Sequence, residues 1–304
     1  MRLIQLIAGA LGFFLYGLTV ALVFILIMPL ALIKWVVPAW RRPCNRLLDG
    51  IASAWIEVNS WHQRWLTGTE IHVSGDVNAL SRNEWYMLIA NHQSWVDIMI
   101  LLRLFNRRIP YVKFFFKQEL LWVPFFGQAM WALDFPVMRR RSKMSRRPGE
   151  DDDLARTRRA CEVYRHSPVT IINFLEGTRF TPEKHARQMR QRNGGTFQHL
   201  LKPKAGGFAF TLAAMDGQLH KLLDVTLHYP DGPPSFWDYA CGRVQRVNVH
   251  WRVLPIPDTM IGDYPGDKEF RARFQQWVNQ LWKEKDQQLD TMNNTPKHTG
   301  ADLG

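Results

Sequence analysis

Charge is missing from the first stretch of this chain. Residues 3 to 33, LIQLIAGALGFFLYGLTVALVFILIMPLALI, hold no Asp, Glu, Lys or Arg, and Gln5 is their one strongly polar side chain. The run exceeds the roughly 20 apolar residues a spanning helix requires, and it is too long, without a small-residue cleavage site, for a secretory signal. Cysteine is also scarce. Cys44, Cys161 and Cys241 are odd in number and far apart, which excludes a disulfide framework or cysteine zinc site and fits a reducing compartment. Acidic residues are outnumbered, 27 against 39 basic, for a net charge of +12. Such a balance calls for an anionic partner: nucleic acid, lipid headgroups or a phosphorylated substrate. No zinc finger or base-stacking module accompanies it, and three Asp at 151–153 interrupt the main basic run, so a nucleic acid partner is not expected. A G-x-S-x-G elbow is absent too, which removes the support for a serine hydrolase. No internal repeat is visible.

What the chain does hold is apolar and aromatic. Hydrophobic residues make up 46%, with 13 Trp, so it folds, and the Trp count suits a membrane interface as well as a core. Residues 1–40 read as a transmembrane or membrane-embedded segment, with Pro29 expected to kink or end it. Lys34, Arg41, Arg42 and Arg46 follow it, which by the positive-inside rule leaves the rest of the chain in the cytoplasm. A pair of re-entrant or interfacial helices is the alternative. Residues 41–69 read as an interfacial helix or linker, with Trp55, Trp61 and Trp65 at helical spacing. From residue 70 the periodicity changes. IHVSG, YMLIA, TIINFLEG, LLDVTLHY and VNVHWRVLPI read as strands, and VDIMILLRLF has helical length. Strands alternating with helices predict an α/β fold over 70–290, with a mixed, partly parallel sheet flanked by helices. KEFRARFQQWVNQLWKEKDQQL places Phe270, Phe274, Trp277 and Leu281 on one side of a helix. Residues 291–304 read as a polar flexible tail.

Two stretches carry chemistry. YMLIANHQSWVDIMIL ends a buried run at Ala90 and places Asn91 and His92 at the carboxyl edge of a strand, where open α/β sheets bind ligands. Ser94 can cap the helix that follows. Positions five apart on a helix diverge by about 140°, so His92 and Asp97 meet only if His92 lies in the loop and Asp97 in the first helical turns. A carboxylate on one ring nitrogen fixes the tautomer and leaves the other free to take a proton. NFLEGTRF, Asn173 to Phe180, ends another buried run. Gly177 allows a tight turn or close approach, Thr178 and Arg179 offer donors suited to a phosphate, and Glu176 can hold Arg179 or an amide.

Together NHQSWVD (Asn91–Asp97) and FLEGTR (Phe174–Arg179) resemble the NHxxxxD and FPEGTR blocks of the glycerolipid acyltransferase family, also called lysophospholipid or PlsC-like acyltransferases. Order and separation fit, and the likeness is nearest to a bacterial inner-membrane branch. KQELLWVPFFGQAMWALDFPVMRR (Lys117–Arg140) and KPKAGGFAFTLA resemble connecting stretches. Leu175 stands where the family has Pro. Leu133 or a neighbour replaces a Gly, and Arg139, or alternatively Arg140, matches the following Arg. The resemblance implies a membrane-bound glycerolipid acyltransferase fold, with His92 as general base and Asp97 as its partner. Glu176, Gly177, Thr178 and Arg179 would bind the acceptor's phosphate, with Arg139 and Lys117 assisting. It implies transfer from acyl-CoA or acyl carrier protein to a lysophospholipid hydroxyl, 1-acylglycerol-3-phosphate or a relative, with no cofactor and no metal. The membrane is the expected partner, and the cytoplasmic face of a bacterial inner membrane the expected location. The competing readings are a catalytically silent lipid-binding protein and a lipid hydrolase, in which the same dyad activates water.

Overall fold

Two long helices come first in the computed structural model, which describes residues 2–138, 152–164, 167–191 and 197–294. Helix α1 (Arg2–Val36) continues through Pro29. Of the two expectations for Pro29, a kink or an end, the end is corrected: a proline removes one hydrogen bond, and the packing of Ile27 and Ala31 holds the helix on both sides of it. A 35-residue helix is about 52 Å long, and this is the one described helix long and apolar enough to cross a membrane. Helix α2 spans Arg41–Thr67, within the stretch 41–69. It buries Cys44, Leu48, Ala52, Ile56, Asn59 and Gln63, a stripe at the i, i+3/i+4 spacing of an amphipathic helix, and ends on Gly68 at φ +63°.

Next come β1 (Glu70–Ser74), β2 (Tyr86–Ala90), α3 (Val96–Phe105), β3 (Val112–Phe114), β4 (Phe116–Lys117), α4 (Phe126–Ala132) and β5 (Val137–Met138). After the undescribed 139–151 follow α5 (Asp152–Cys161), β6 (Thr170–Phe174), α6 (Pro182–Met189) and α7 (Ala205–Ala214). The chain closes with β7 (Lys221–His228), α8 (Phe236–Ala240), β8 (Arg246–Pro255) and α9 (Lys268–Asn294). Helix α9 runs through Asn294, into the span 291–304 where a flexible tail was expected; the rest of that span lies outside the described residues. Its last turn is held: Asn293 meets His228 at 2.8 Å.

The main sheet has the order β1-β8-β7-β2-β6-β3. All its neighbours are parallel except β7 with β8. The expected α/β domain with a mixed sheet is therefore the observed one. Strand β2 is buried throughout, as a central strand covered on both faces must be. Met87 and Ile89 face a core with Phe208, Phe274 and Trp282. Tyr86, Leu88 and Ala90 face another with Ile100, Phe105 and Trp251.

Helix α1 is not a separate body. Ile27 and Ala31 pack with Leu48 and Ala52 of α2 and Met130 of α4. Phe13 meets Phe236 and Trp237 of α8 at 5.3 and 5.4 Å between centroids. Lys34, buried, pairs with Asp134 at 3.0 Å and donates to the Ala132 carbonyl at 2.6 Å. Outward-facing Leu3, Ile7, Phe14 and Ile25 are 59–70% exposed. One side of α1 is docked and the other is bare.

Candidate active site

Four parallel strands deliver their carboxyl ends to one edge of the sheet, and the two blocks stand there on adjacent strands. Asn91, fully buried, continues β2 beyond its last residue: its side-chain amide donates to the Leu227 carbonyl and accepts the Leu227 N–H, both at 2.8 Å. This fixes the point where the loop departs. His92 lies in the loop and Asp97 in the first turn of α3, and Nδ1 of His92 is 2.8 Å from Oδ2 of Asp97.

Asp97 is fully buried, yet every part of its charge is met. Oδ2 also accepts the backbone N–H groups of Gln93 (2.7 Å) and Ser94 (2.9 Å), and Oδ1 accepts the Tyr229 hydroxyl at 2.6 Å. A buried carboxylate is tolerable only when paired in this way. Burial and the Asp97 charge hold the Tyr229 phenol well above its ordinary pKa, so Tyr229 stays a donor. Because a carboxylate oxygen that already takes two backbone N–H bonds acts here as an acceptor, Nδ1 of His92 is the donor in this pair, and in the neutral ring the lone pair falls on Nε2. No described residue hydrogen-bonds Nε2. The His92 ring stacks on Phe174, the last residue of β6, at 4.1 Å and 21°. Ser94 stands one residue before the N-cap position, Trp95, and its Oγ accepts the N–H of Val96, the first residue of α3 (3.1 Å), and donates to the Pro234 carbonyl (2.5 Å).

The second block locks onto the first. Glu176 is turned inward and 1% exposed. Its Oε1 accepts the His92 N–H at 2.9 Å and its Oε2 the Leu201 N–H at 3.1 Å. It holds the His92 loop through these two backbone amides. Burial pushes its carboxyl up to about 8, with the Asp97 charge adding, against the two amide bonds and the Lys285 charge. Phe180 N–H donates to the His92 carbonyl, and Lys204 N–H to the Leu175 carbonyl, both at 2.7 Å.

Gly177, Thr178 and Arg179 form the outward part of the turn. Gly177 has φ +65°, a region that penalises a Cβ. Lys204 lies against it, with Nζ 3.1 Å from where a Cβ would stand. The Lys184 ammonium donates to Thr178 Oγ1 and to the Arg179 carbonyl, each at 2.8 Å. The Arg179 guanidinium lies 5.3 Å from the ring centre of exposed Trp95, a cation–π distance. Three cations around one glycine turn suit an anion such as a phosphate.

The structure thus brings together His92, Asp97, Glu176, Gly177, Thr178 and Arg179. Lys117 lies in β4, paired with Met138 of β5; its side chain, and all of Arg139 and Arg140, fall outside the described residues. Sequence reasoning missed Tyr229, Trp95 and Lys184. Tyr229 was within reach, since it follows β7 at the same sheet edge. Trp95 sits inside the first block, and only its contact across to the second block gives it a role. Among the described residues no group of three or more His, Cys, Asp or Glu could hold a metal ion.

Comparison with known proteins bears on this arrangement. The profile of the family described as Acyltransferase matches residues 70–227, a span that holds both blocks. Lysocardiolipin acyltransferase 1 of Gallus gallus is 26% identical over 86% of this chain and 66% of its own length. 1-acyl-sn-glycerol-3-phosphate acyltransferase epsilon of Mus musculus is 24% identical over 76% of this chain and 63% of its own. The chain therefore spans about two thirds or less of these relatives. The crystal structure of the 1-acyl-sn-glycerophosphate acyltransferase PlsC from Thermotoga maritima superposes with a TM-score of 0.54, covering 96% of this chain and 99% of that one at 13% identity, so the fold is shared. With the family profile matched over just over half of its length, this chain belongs to the acyltransferase family.

Proposed function

We propose that this protein is a membrane-bound O-acyltransferase. It moves a fatty acyl chain from a thioester, acyl-CoA or acyl carrier protein, to the free hydroxyl of 1-acylglycerol-3-phosphate or a related lysophospholipid. The observation that carries this reading is the His92–Asp97 pair at 2.8 Å, its second ring nitrogen left open beside a cationic glycine turn. The names of the relatives support a lysophospholipid acceptor.

In this reading Nε2 of His92 takes the hydroxyl proton as the oxygen attacks the thioester carbonyl carbon. Asp97 holds the ring and stabilises the imidazolium. Collapse of the tetrahedral intermediate breaks the C–S bond, and the imidazolium returns its proton to the leaving sulfur. The products are the new ester and a free thiol. No covalent acyl-enzyme is required, since the thioester is already activated. Arg179, Lys184 and Lys204 would hold the acceptor's phosphate, with Gly177 allowing close approach. Arg139 and Lys117 remain proposed contributors to that contact. The expected seat is the cytoplasmic face of a bacterial inner membrane, with the bare side of α1 in lipid and Arg42 and Arg46 toward anionic headgroups. Lys34 contributes less to that attraction, because its charge is spent on Asp134.

Membranes containing the protein, given labelled acyl-CoA or acylated carrier protein and a panel of lysophospholipids, test this. Label enters one diacyl product, and His92→Ala lowers the rate by roughly 10²–10⁴-fold, the usual contribution of a positioned base. Equal product from the variant overturns the base; free fatty acid in place of the diacyl product favours a hydrolase; neither product with either donor favours a lipid-binding role.

A further inference from the structure

Residues 120–132, LLWVPFFGQAMWA, contain no charged side chain. A globular loop of that composition ordinarily folds its apolar side chains inward. This one does so only in part: Met130 and Ala132 are buried, and the large apolar side chains around them are not. Trp122 is 83% exposed, Phe125 49%, Trp131 45%, Val123 42% and Phe126 41%. The turn is firmly built: Phe126 N–H bonds to the Pro124 carbonyl at 2.7 Å and Gly127 N–H to the Val123 carbonyl at 2.9 Å. Phe125 is held at φ +63°, a conformation that costs a side-chain-bearing residue free energy. A Cβ on Gly127 would stand 2.3 to 2.4 Å from the Leu121 and Leu120 carbonyl oxygens, so glycine is required for the turn to close. Backbone strain and an obligatory glycine hold aromatic rings where water would meet them.

The neighbour of this loop identifies what covers it. Phe125 packs edge-on against Phe24 of α1 at 5.2 Å. On either side of Phe24, Leu22, Ile25 and Leu26 are 52–65% exposed. The loop and the bare side of α1 therefore meet at the Phe24–Phe125 contact. Trp and Phe next to an apolar helix, with charge absent from residues 3–33 and 120–132, match the boundary between headgroups and acyl chains.

We propose that the Leu120–Trp131 segment is a second lipid-docking element, which inserts Trp122, Val123 and Phe125 into the same bilayer that receives α1. The inference rests on the reading that this chain works at a membrane. It adds that the catalytic domain itself enters lipid through a preformed wedge, so that α1 is not the sole attachment.

The test uses the full chain in vesicles of equimolar phosphatidylcholine and phosphatidylglycerol. An environment-sensitive fluorophore is attached through Trp122→Cys, and in separate preparations through Val123→Cys, Ile25→Cys and Glu269→Cys; the unsubstituted chain, whose three cysteines are buried, gives the background. The expected result is a blue shift and quenching by acyl-chain nitroxide lipids at positions 122 and 123 of the same order as at position 25, with position 269 quenched only by aqueous iodide. Lipid quenching at 25 alone, with iodide quenching at 122 and 123, overturns the wedge and leaves membrane attachment through α1. Lipid quenching at none of the positions overturns both. Shielding of 122 from both quenchers assigns the loop to a second copy of the chain and also overturns the proposal.

Discussion

Asp97 satisfies all its acceptor capacity without a single exposed atom, and that occupancy makes its neighbours consequential. Removing the Tyr229 hydroxyl leaves Oδ1 buried and unpaired. Tyr229→Phe is expected to cost about 1–3 kcal/mol of stability, the penalty for an unsatisfied buried acceptor, and to lower kcat more than it raises KM for the acceptor. Chemical denaturation and steady-state kinetics check the two parts. Glu176 gives a pH signature. Its folded pKa, about 8, lies above the ordinary 4.5, so the folded state holds the proton more tightly than the unfolded chain. Its stabilising contribution is complete below about pH 4.5 and declines as pH rises toward 8, by up to about 1.4 kcal/mol per unit. Glu176→Gln lacks this slope, so the Tm advantage of the native protein over the variant is expected to shrink between pH 5 and pH 8. Melting curves across that range measure it.

Among the elements, the turn after β6 is set by one backbone conformation. Gly177→Ala must place a Cβ at φ +65°, within 3.1–3.2 Å of the Lys204 side chain. The left-handed conformation alone costs about 1–2 kcal/mol. If the proposed function holds, the variant shows a raised KM for the phosphorylated acceptor, with little change for the acyl donor, in parallel saturation curves. The elements also show what the sequence could and could not disclose. Strands β2, β6 and β7 were legible because buried central strands are continuous apolar runs. The His92–Asp97 pairing was legible because a strand end followed by a helix start leaves one geometry for that spacing. Glu176 was harder. Its position in the second block shows that it matters, but its inward turn depends on where the amides of His92 and Leu201 fall, residues far from it in sequence. Asp134 is similar: it adopts φ +53° near the glycine position of the family's block, and its carboxylate is held by Lys34 and Asn45. Aspartate tolerates that conformation better than most residues, and its charge there is met only by partners distant in sequence.

For the whole molecule, a buried ion cluster binds α9 to the sheet. Lys285, 1% exposed, contacts Asp224 of β7 at 2.6 Å, and Arg252 of β8 joins Asp224 at 2.9 Å and Glu284 at 2.7 Å. Burial lowers the Lys285 pKa and the Asp224 charge opposes it. Lys285→Met leaves Asp224 with only the partly exposed Arg252, and breaking a buried pair in this way typically costs about 3–5 kcal/mol. Thermal unfolding is expected to show that loss, with the KM values of the surviving folded fraction unchanged. The amphipathic pattern of α9 announced a packed helix; nothing in that pattern distinguished the buried Lys285 from the solvated lysines around it.

The register of β1 has a consequence for the order in which the chain matures. Glu70 pairs with Arg246, and 246 − 70 leaves 176 positions to be synthesised before the earliest strand of the domain meets its partner. At cellular elongation rates of 5–20 residues per second, that delay is roughly 9–35 s. The apolar helix α1 leaves the ribosome well before then, so on the proposed function its delivery to lipid can precede closure of the sheet. The half-made domain presents an unpaired strand edge throughout this interval, when its greatest need is protection from other nascent chains.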